Sequence, residues 1–436
     1  MSLRRIRSLK RIRSEARPAA GFFRWKNKMI KKQLLCLLAI LFAALTLFAL
    51  AEGETGADEA REIAASCAFS SSGSRNSIPR LTDRDYGTNF VCTKRRHPYI
   101  EVKSPDADVY GLYICFGDLK TRPWEVQAQV NGKWTAVYSC PGEYAHAYAP
   151  LEGLTHFRIV NSQDSQTELS ISEIFLFTEG TIPDWVQKWD PTEEKADLLV
   201  LAAHPDDDIL FFGGTIPYYA KERGMKVTVA YMTCGTYVRQ SELLDALWYA
   251  GVRHYPVIGS MWDKYSKKID TAYKAWDGKN NVYRYLVTLL RSLRPEVVVT
   301  HDVNGEYGHG AHRVCADAMP KAIEYAMDAS KYTSAGAPWE VKKLYLHLYK
   351  ENVIEMDWDA PMSAFDGMSG YEVAKEMYLK HVSQQDQGQK NEKGVFEPFK
   401  VEPRDSAYSC YRFGLAYSAV GADVEKNDFF ENVPGY

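Results

Sequence analysis

Apolar and polar positions along the chain follow two regimes. From about Cys67 to Gly180, short runs alternate with period two: Tyr99-Ile-Glu-Val-Lys, residues 110–116, Trp124-Glu-Val-Gln-Ala-Gln-Val, residues 134–138, 156–160 and 169–177. Such alternation turns one face of each strand to a core and the other to solvent. Asn131-Gly132, lying between two of the runs, is a hairpin signal, because both residues accept the positive φ of a two-residue turn. Regular short strands with turn signals predict an antiparallel β-sandwich over residues 60–180. A Pro-punctuated, charged stretch, 181–195, reads as a linker. From residue 196 to 436 the pattern changes to continuous apolar runs (198–203, 226–232, 255–258, 296–300, 344–349) alternating with amphipathic helical segments (241–249, 282–293, 312–327). Strands apolar on both faces and separated by helices predict a doubly wound, mostly parallel α/β domain.

Two of those apolar runs break abruptly into polar residues. The first gives Ala203-His204-Pro205-Asp206-Asp207-Asp208, and the second gives Thr300-His301-Asp302-Val303-Asn304-Gly305-Glu306-Tyr307-Gly308-His309-Gly310-Ala311-His312. In open α/β sheets, ligands bind outside the carboxyl ends of the strands. Three adjacent carboxylates repel one another unless a cation or water neutralises them, and His with Asp are metal ligands. An isolated Asp-Asp-Asp is as readily a solvated turn with a helix cap. The second cluster, with glycines that permit close backbone approach, points instead to one metal site fed from two strand ends. The chain has no P-loop, GxGxxG or GxSxG motif.

Taken together, A-H-P-D-D and, about a hundred residues later, Y-G-H-x-x-H resemble the PIG-L/LmbE-type N-acetylglucosamine deacetylases over roughly residue 197 to the C-terminus. The resemblance implies that His204, Asp207 and His312 bind the metal and that Asp206 is the general base. It gives His309, as an imidazolium, the stabilisation of the tetrahedral intermediate and protonation of the leaving amine, and lets the Tyr307 hydroxyl polarise the amide carbonyl. Two His and one carboxylate leave a coordination position open, as catalytic sites do. Zn2+ is the implied cofactor, and Fe2+ accepts the same donors. Thr233-Cys234-Gly235 with Arg239 and Glu242 resembles the family's T-x-G…R-x-x-E segment, in which the Arg contacts substrate. Asp263 matches a sugar-binding acid, and residues 372–385 resemble the family's late helix. Two departures stand out: Asp208 replaces a Glu, and Gly310-Ala311 replaces Pro-Asp, removing an outer carboxylate that Asp302 is expected to supply. His301 and His254 read as cap or surface residues.

The N-terminal region, with Leu81-Thr-Asp-Arg-Asp-Tyr-Gly-Thr early and residues 169–177 late, resembles discoidin or coagulation-factor type C modules. That implies a galactose-binding-like jelly roll, with Tyr86, Tyr144 and Tyr148 as loop aromatics for stacking on sugar.

Charge adds a third feature. The formal charge is −3 over 436 residues, but residues 1–33 hold twelve Lys/Arg and one Glu, a net of +11, which leaves −14 on the rest. A body this acidic excludes nucleic acid as the partner. The basic leader, the uncharged segment 34–50 and Ala49-Leu50-Ala51 predict a signal peptide over 1–51, with Met29 a candidate initiator. The alternative is an uncleaved membrane tether through 34–50, at the lower length limit for a span. Beyond Cys36 there are seven cysteines, an odd number, and export would allow Cys67, Cys92, Cys115 and Cys140 to form two disulfides. The expectation is a secreted or cell-surface zinc-dependent deacetylase acting on an N-acetylated amino sugar of a glycan or glycoconjugate. The alternatives are an inactive glycan-binding surface protein and an amidohydrolase of another small N-acyl compound.

Overall fold

The alternating runs fold as two facing antiparallel sheets. One has the strand order Ala68–Ser71, Tyr99–Lys103, His156–Asn161, Trp124–Val130, Lys133–Cys140; the other Phe90–Arg95, Thr167–Phe177, Val109–Phe116, His146–Leu154. Ile100, Val126, Phe157 and Ile159 from one sheet meet Phe90, Leu112, Ile114 and Ile171 from the other in a single core. Asn131 and Gly132 form the expected turn, both at positive φ (54° and 74°), with Val130 paired to Lys133. The computed structural model describes residues 58–73, 77–390 and 394–436, so the expected leader and tether lie outside the described residues.

Three strands escape the period-two pattern. Ala68–Ser71 is only four residues long, and Phe90–Arg95 ends in the exposed Thr-Lys-Arg. His146–Leu154 carries Pro150, which is tolerated because this strand is the edge of its sheet and pairs on one side only.

The second regime builds a seven-stranded sheet in the order Val257–Ile258, Val227–Tyr231, Leu198–Ala202, Val297–Thr300, Lys343–His347, Arg412–Ser418, Val353–Glu355. The first five are parallel, and Arg412–Ser418 runs antiparallel to both its neighbours. Leu198–Ala202 is buried at every position because the sheet lies between two cores. Leu198, Val200 and Ala202 pack into one core, and Leu199 and Leu201 into the other. Helices Tyr237–Tyr249, Lys279–Leu293, Gly310–Met327 and Gly370–Leu379 supply much of the cover. The chain runs outward from Leu198–Ala202 through Val227–Tyr231 to Val257–Ile258, then crosses to Val297–Thr300 and Lys343–His347 on the other side. That reversal makes the carboxyl ends of Leu198–Ala202 and Val297–Thr300 the switch point where a ligand crevice opens.

The expected linker is not a free one. Val186, Gln187 and Trp189 are buried, and the Trp189 ring packs 5.2 Å from Trp248 and 5.5 Å from Tyr255. The Tyr86 hydroxyl and the Gln187 amide both donate to Asp245 on helix Tyr237–Tyr249, at 3.1 and 2.6 Å. Residues Glu59–Tyr436 therefore form one compact unit. This contact also corrects the expectation for the loop aromatics. Tyr86 is spent on Asp245, Tyr144 packs 5.0 Å from Tyr255, and Tyr148 lies under the Lys188 ammonium at 4.8 Å. Tyr86 and Tyr144 thus face the α/β half, and Tyr148 faces the connecting segment. Cys67, Cys92, Cys115 and Cys140 are free thiols, so the disulfides that export would allow are not formed among them. No helix among the described residues is long and apolar enough to cross a membrane.

Candidate active site

Strand Leu198–Ala202 delivers its chain into a tight turn whose own side chains close it. The Asp207 carboxylate accepts the His204 backbone N–H at 2.8 Å, and Asp208 Oδ1 accepts that of Asp206 at 3.2 Å. Asp206 sits at φ 102°, a region costly for a residue with a Cβ, by roughly 1–3 kcal/mol. On the other side, His312 enters in the first turn of helix Gly310–Met327. Only glycine fits at its start, because a Cβ on Gly310 would meet the Ser266 carbonyl oxygen at 2.6 Å.

Three ligand atoms converge there. His204 Nδ1 lies 2.9 Å from Asp207 Oδ2, His312 Nε2 3.2 Å from the same oxygen, and the two ring nitrogens are 3.3 Å apart. Donors arranged tetrahedrally at about 2.0–2.1 Å from a zinc ion sit roughly 3.3 Å from one another, so the triangle has the size the metal requires. Its electrostatics agree. Burial opposes a charge on His312, yet Asp207 and Glu306 push its pKa up to about 10. Asp207, although buried, is held well below the usual carboxylate range by His312 and His204. The pocket is built to contain a positive charge. Two other donor triples, His204–His309–His312 and Asp207–His301–His312, also lie close enough to hold an ion. The second is ruled out because both His301 nitrogens are engaged, Nε2 by the Ala203 N–H at 2.9 Å and Nδ1 by Glu306 at 2.8 Å.

Glu306 is the carboxylate that organises the histidines. Its Oε2 accepts from His312 Nδ1 at 2.9 Å and His301 Nδ1 at 2.8 Å, and its Oε1 from His347 Nδ1 at 2.6 Å and the Asp302 N–H at 3.1 Å. It is fully buried, and the three imidazoles hold its pKa well below the ordinary value against that burial. With Nδ1–H given to Glu306, His312 turns Nε2 to the ligand triangle, the arrangement in which an outer carboxylate fixes a ligand's tautomer. The outer carboxylate is thus Glu306 and not Asp302, which contributes only its backbone N–H. His301 is not a surface residue either, being fully buried with its ring stacked 4.2 Å from His312. His254, by contrast, pairs with Glu193 at 3.0 Å with its side chain 37% exposed.

Around the triangle stand the remaining expected residues. Asp206 is buried and raised to about 7, chiefly by burial, with Arg239 opposing the rise and Asp207 adding to it. Arg239 donates through one nitrogen, Nη2, to Asp206 Oδ1 at 2.9 Å and to the Pro205 carbonyl, which braces the turn, while its buried Nε has no partner. Glu242 makes no pair with Arg239; it accepts from Ser383 Oγ at 2.7 Å, tying helix Tyr237–Tyr249 to the segment after helix Gly370–Leu379. Asp263 Oδ1 lies 3.3 Å from His204 Nε2. Asp208 is buried with Oδ2 lacking a hydrogen-bond partner.

His309 lies 4.7 Å from His312 and 4.8 Å from His204 by ring centroids. Burial and those neighbouring imidazoles push its pKa down to about 3, and its Nδ1 accepts the Ala311 N–H at 3.3 Å. It is therefore a neutral imidazole with its proton on Nε2, not the expected imidazolium. The Tyr307 hydroxyl donates to Glu402, and its ring packs against Phe211, Phe399 and Tyr408. It builds the wall of the site and does not offer a free hydroxyl to a carbonyl. Glu306, His347 and Glu402 had no role in the sequence reading, and His301 had only that of a cap or surface residue. Glu306 lies within the quoted cluster, six residues before His312, but His347 and Glu402 join from separate later segments.

Residues 199–323 match a family model described as PIG-L: GlcNAc-PI de-N-acetylase, a narrower span than the 197 to C-terminus of the motif resemblance. A 1D-myo-inositol 2-acetamido-2-deoxy-alpha-D-glucopyranoside deacetylase from Rhodococcus jostii is 32% identical over 186 residues, covering 36% of this chain and 63% of the relative. The corresponding deacetylase 1 of Catenulispora acidiphila is 29% identical over 185 residues, covering 36% and 57%. The chain thus spans about 57–63% of the length of these curated relatives. Among solved structures, the conserved protein TT1542 from Thermus thermophilus aligns at 23% identity and TM-score 0.31, over 44% of this chain and 80% of that one. A family 32 CBM from C. perfringens NanJ, in complex with galactose, aligns at 15% identity and TM-score 0.24, over 27% and 98%. The segment that matches the PIG-L family, 199–323, is the one that contains His204, Asp206, Asp207, Glu306, His309 and His312.

Proposed function

We propose that this chain is a metal-dependent deacetylase that hydrolyses the N-acetyl amide of an amino sugar of the N-acetylglucosamine type, releasing acetate and the free amine. The observation that carries the reading is the triangle of His204 Nδ1, Asp207 Oδ2 and His312 Nε2, with sides of 2.9, 3.2 and 3.3 Å, beside the buried carboxylate of Asp206. The family match and the activity named for the relatives supply the substrate class. His204, Asp207 and His312 would hold Zn2+, or Fe2+, which accepts the same two imidazoles and carboxylate. When bound, such an ion polarises the amide carbonyl and lowers the pKa of a water.

The protein's own groups divide the proton work. Arg239 occupies Asp206 Oδ1 at 2.9 Å, so Oδ2 is the atom that takes the proton of the attacking water. A carboxylate raised to about 7 suits a base working near neutral pH. His309, neutral with its proton on Nε2, donates that N–H to the carbonyl oxygen as negative charge develops. The proton gathered on Asp206 then goes to the leaving nitrogen, which departs as the amine. Glu306 keeps the His312 tautomer fixed throughout. The basic leader and uncharged segment of residues 1–51 support an extracytoplasmic location, where glycan substrates are met.

The test is acetate release from a panel of N-acetylated amino sugars and other N-acyl compounds, with and without chelator. The reading expects chelator-sensitive release from N-acetylglucosamine compounds. Release confined to non-sugar amides would replace it by the broader amidohydrolase reading.

A further inference from the structure

The loop between strand Val257–Ile258 and helix Ile269–Ala275 carries two aromatic side chains that no core uses. Trp262 is 64% exposed and Tyr265 67% exposed, positions where large apolar rings are seldom left. Between them Asp263 turns inward, to within 3.3 Å of His204 Nε2, and the Tyr265 ring lies 5.1 Å from that of His309. The Tyr265 ring therefore stands beside the ligand triangle, and Trp262 directly precedes the inward-turned Asp263 on the same loop.

Their backbone is pinned at both ends. The Gly259 and Met261 N–H groups donate to Tyr231 and Met232 carbonyls at 2.9 and 3.1 Å, and a Cβ on Gly259 would collide with the Met232 carbonyl oxygen. Farther along, the Gly310 N–H donates to the Ser266 carbonyl at 2.6 Å, and Trp276 Nε1 donates to that of Trp262 at 3.1 Å. Exposed aromatic rings on a held backbone contribute little to folding. They offer broad, stiff faces at small entropic cost, which suits the apolar face of a sugar ring.

We propose that Trp262 and Tyr265 form a subsite for a second sugar ring, adjacent to the N-acetylated residue whose amide is cleaved. The preferred substrate is then an N-acetylated oligosaccharide rather than a single amino sugar. The inference rests on the deacetylase reading given above. A sugar held by its acetamido group at His204, Asp207 and His312 passes Asp263 on the way out, and its next ring meets the two aromatics.

The experiment compares the N-acetylglucosamine tetramer with N-acetylglucosamine itself on the full metal-loaded chain. Acetate release gives kcat and KM, and calorimetry on the Asp206→Asn protein gives binding without turnover. The subsite predicts that the tetramer has the lower KM and that Trp262→Ala reduces the tetramer-to-monomer ratio of kcat/KM on the order of tenfold, about 1.4 kcal/mol, with the loss appearing in KM. Trp262→Phe, which keeps an aromatic face, should retain most of the ratio, and Tyr265→Ala should lower it. Both positions are exposed, so the variants fold. An unchanged ratio in Trp262→Ala, or equal KM values for the two sugars in the parent protein, overturns the subsite while leaving the deacetylase reading intact. Tight, Trp262-dependent binding of the tetramer without acetate release would uphold the subsite and remove the deacetylase reading.

Discussion

Glu306→Gln removes one charge and almost no volume, and it tests the organisation of the histidines directly. Glu306 accepts from four N–H groups, two on each oxygen. Gln has only one acceptor oxygen, so whichever way the amide turns, its NH2 faces two further donors and two hydrogen bonds are lost. A buried donor left without a partner costs about 1–3 kcal/mol, so the variant should lose about 2–6 kcal/mol of stability. The larger consequence falls on the ligand triangle. Without a carboxylate on His312 Nδ1–H, the ring loses both its fixed tautomer and part of its basicity. Loss of such a partner typically weakens metal binding by about 10–100-fold, roughly 1.4–2.7 kcal/mol. The assay is a competition titration against a chromophoric chelator at fixed pH, with circular dichroism to confirm folding. Asp302→Asn is the control, since its carboxylate takes no imidazole N–H, and it should bind metal normally. A folded Glu306→Gln protein with unchanged metal affinity, or an Asp302→Asn protein with equal loss, would refute the reasoning.

Other perturbations separate the remaining roles. Asp206→Asn keeps size but cannot accept a proton, so turnover should fall by roughly two to four decades with metal content unchanged; metal loss would make Asp206 a ligand. His309→Gln should lower kcat by about two decades with little change in KM; a change confined to KM would make it a substrate clamp. Asp245, wedged against the sandwich under Tyr86 and Gln187, is pushed up to about 7 by burial. Its folded pKa exceeds the unfolded value of about 3.9, so the native state binds the extra proton and stability falls as pH rises from about 4 through 7. Asp245→Asn should flatten that part of a melting temperature versus pH curve, and an equally steep slope in the variant would move its origin elsewhere.

What the sequence could reveal follows from how local each signal is. His204, Asp207 and His312 stand out because each cluster abruptly ends an apolar run, and that break is visible in one dimension. The Lys279–Leu293 helix is equally legible, since Val282, Leu286, Leu289 and Leu293 repeat at helical spacing and all four are buried. Glu306 is not legible as a hub, because its role exists only once His301, His312 and His347 arrive from different elements. The histidine tautomers are likewise tertiary facts, and the neutral His309 depends on burial beside two other imidazoles. Tyr307 misled for a related reason: its phenol sits in the motif, but Glu402, ninety-five residues later, takes the hydroxyl. The 181–195 segment reads as a linker by composition, yet Val186 and Trp189 are apolar residues that the fold buries between its two halves. The loop tyrosines 86, 144 and 148 were legible as aromatics but not as contacts, since nothing local states which surface they meet.

The central claim is that one ion, held by His204, Asp207 and His312, makes this chain an amino-sugar deacetylase. The most direct measurement is to strip the purified protein of metal and titrate Zn2+ back while following acetate release from an N-acetylglucosamine substrate. The account predicts no release at the start and a rise that ends at one equivalent. It also predicts that His312→Ala, still folded, shows no such rise. Acetate release from the metal-free protein, or full metal-dependent activity in His312→Ala, would contradict it.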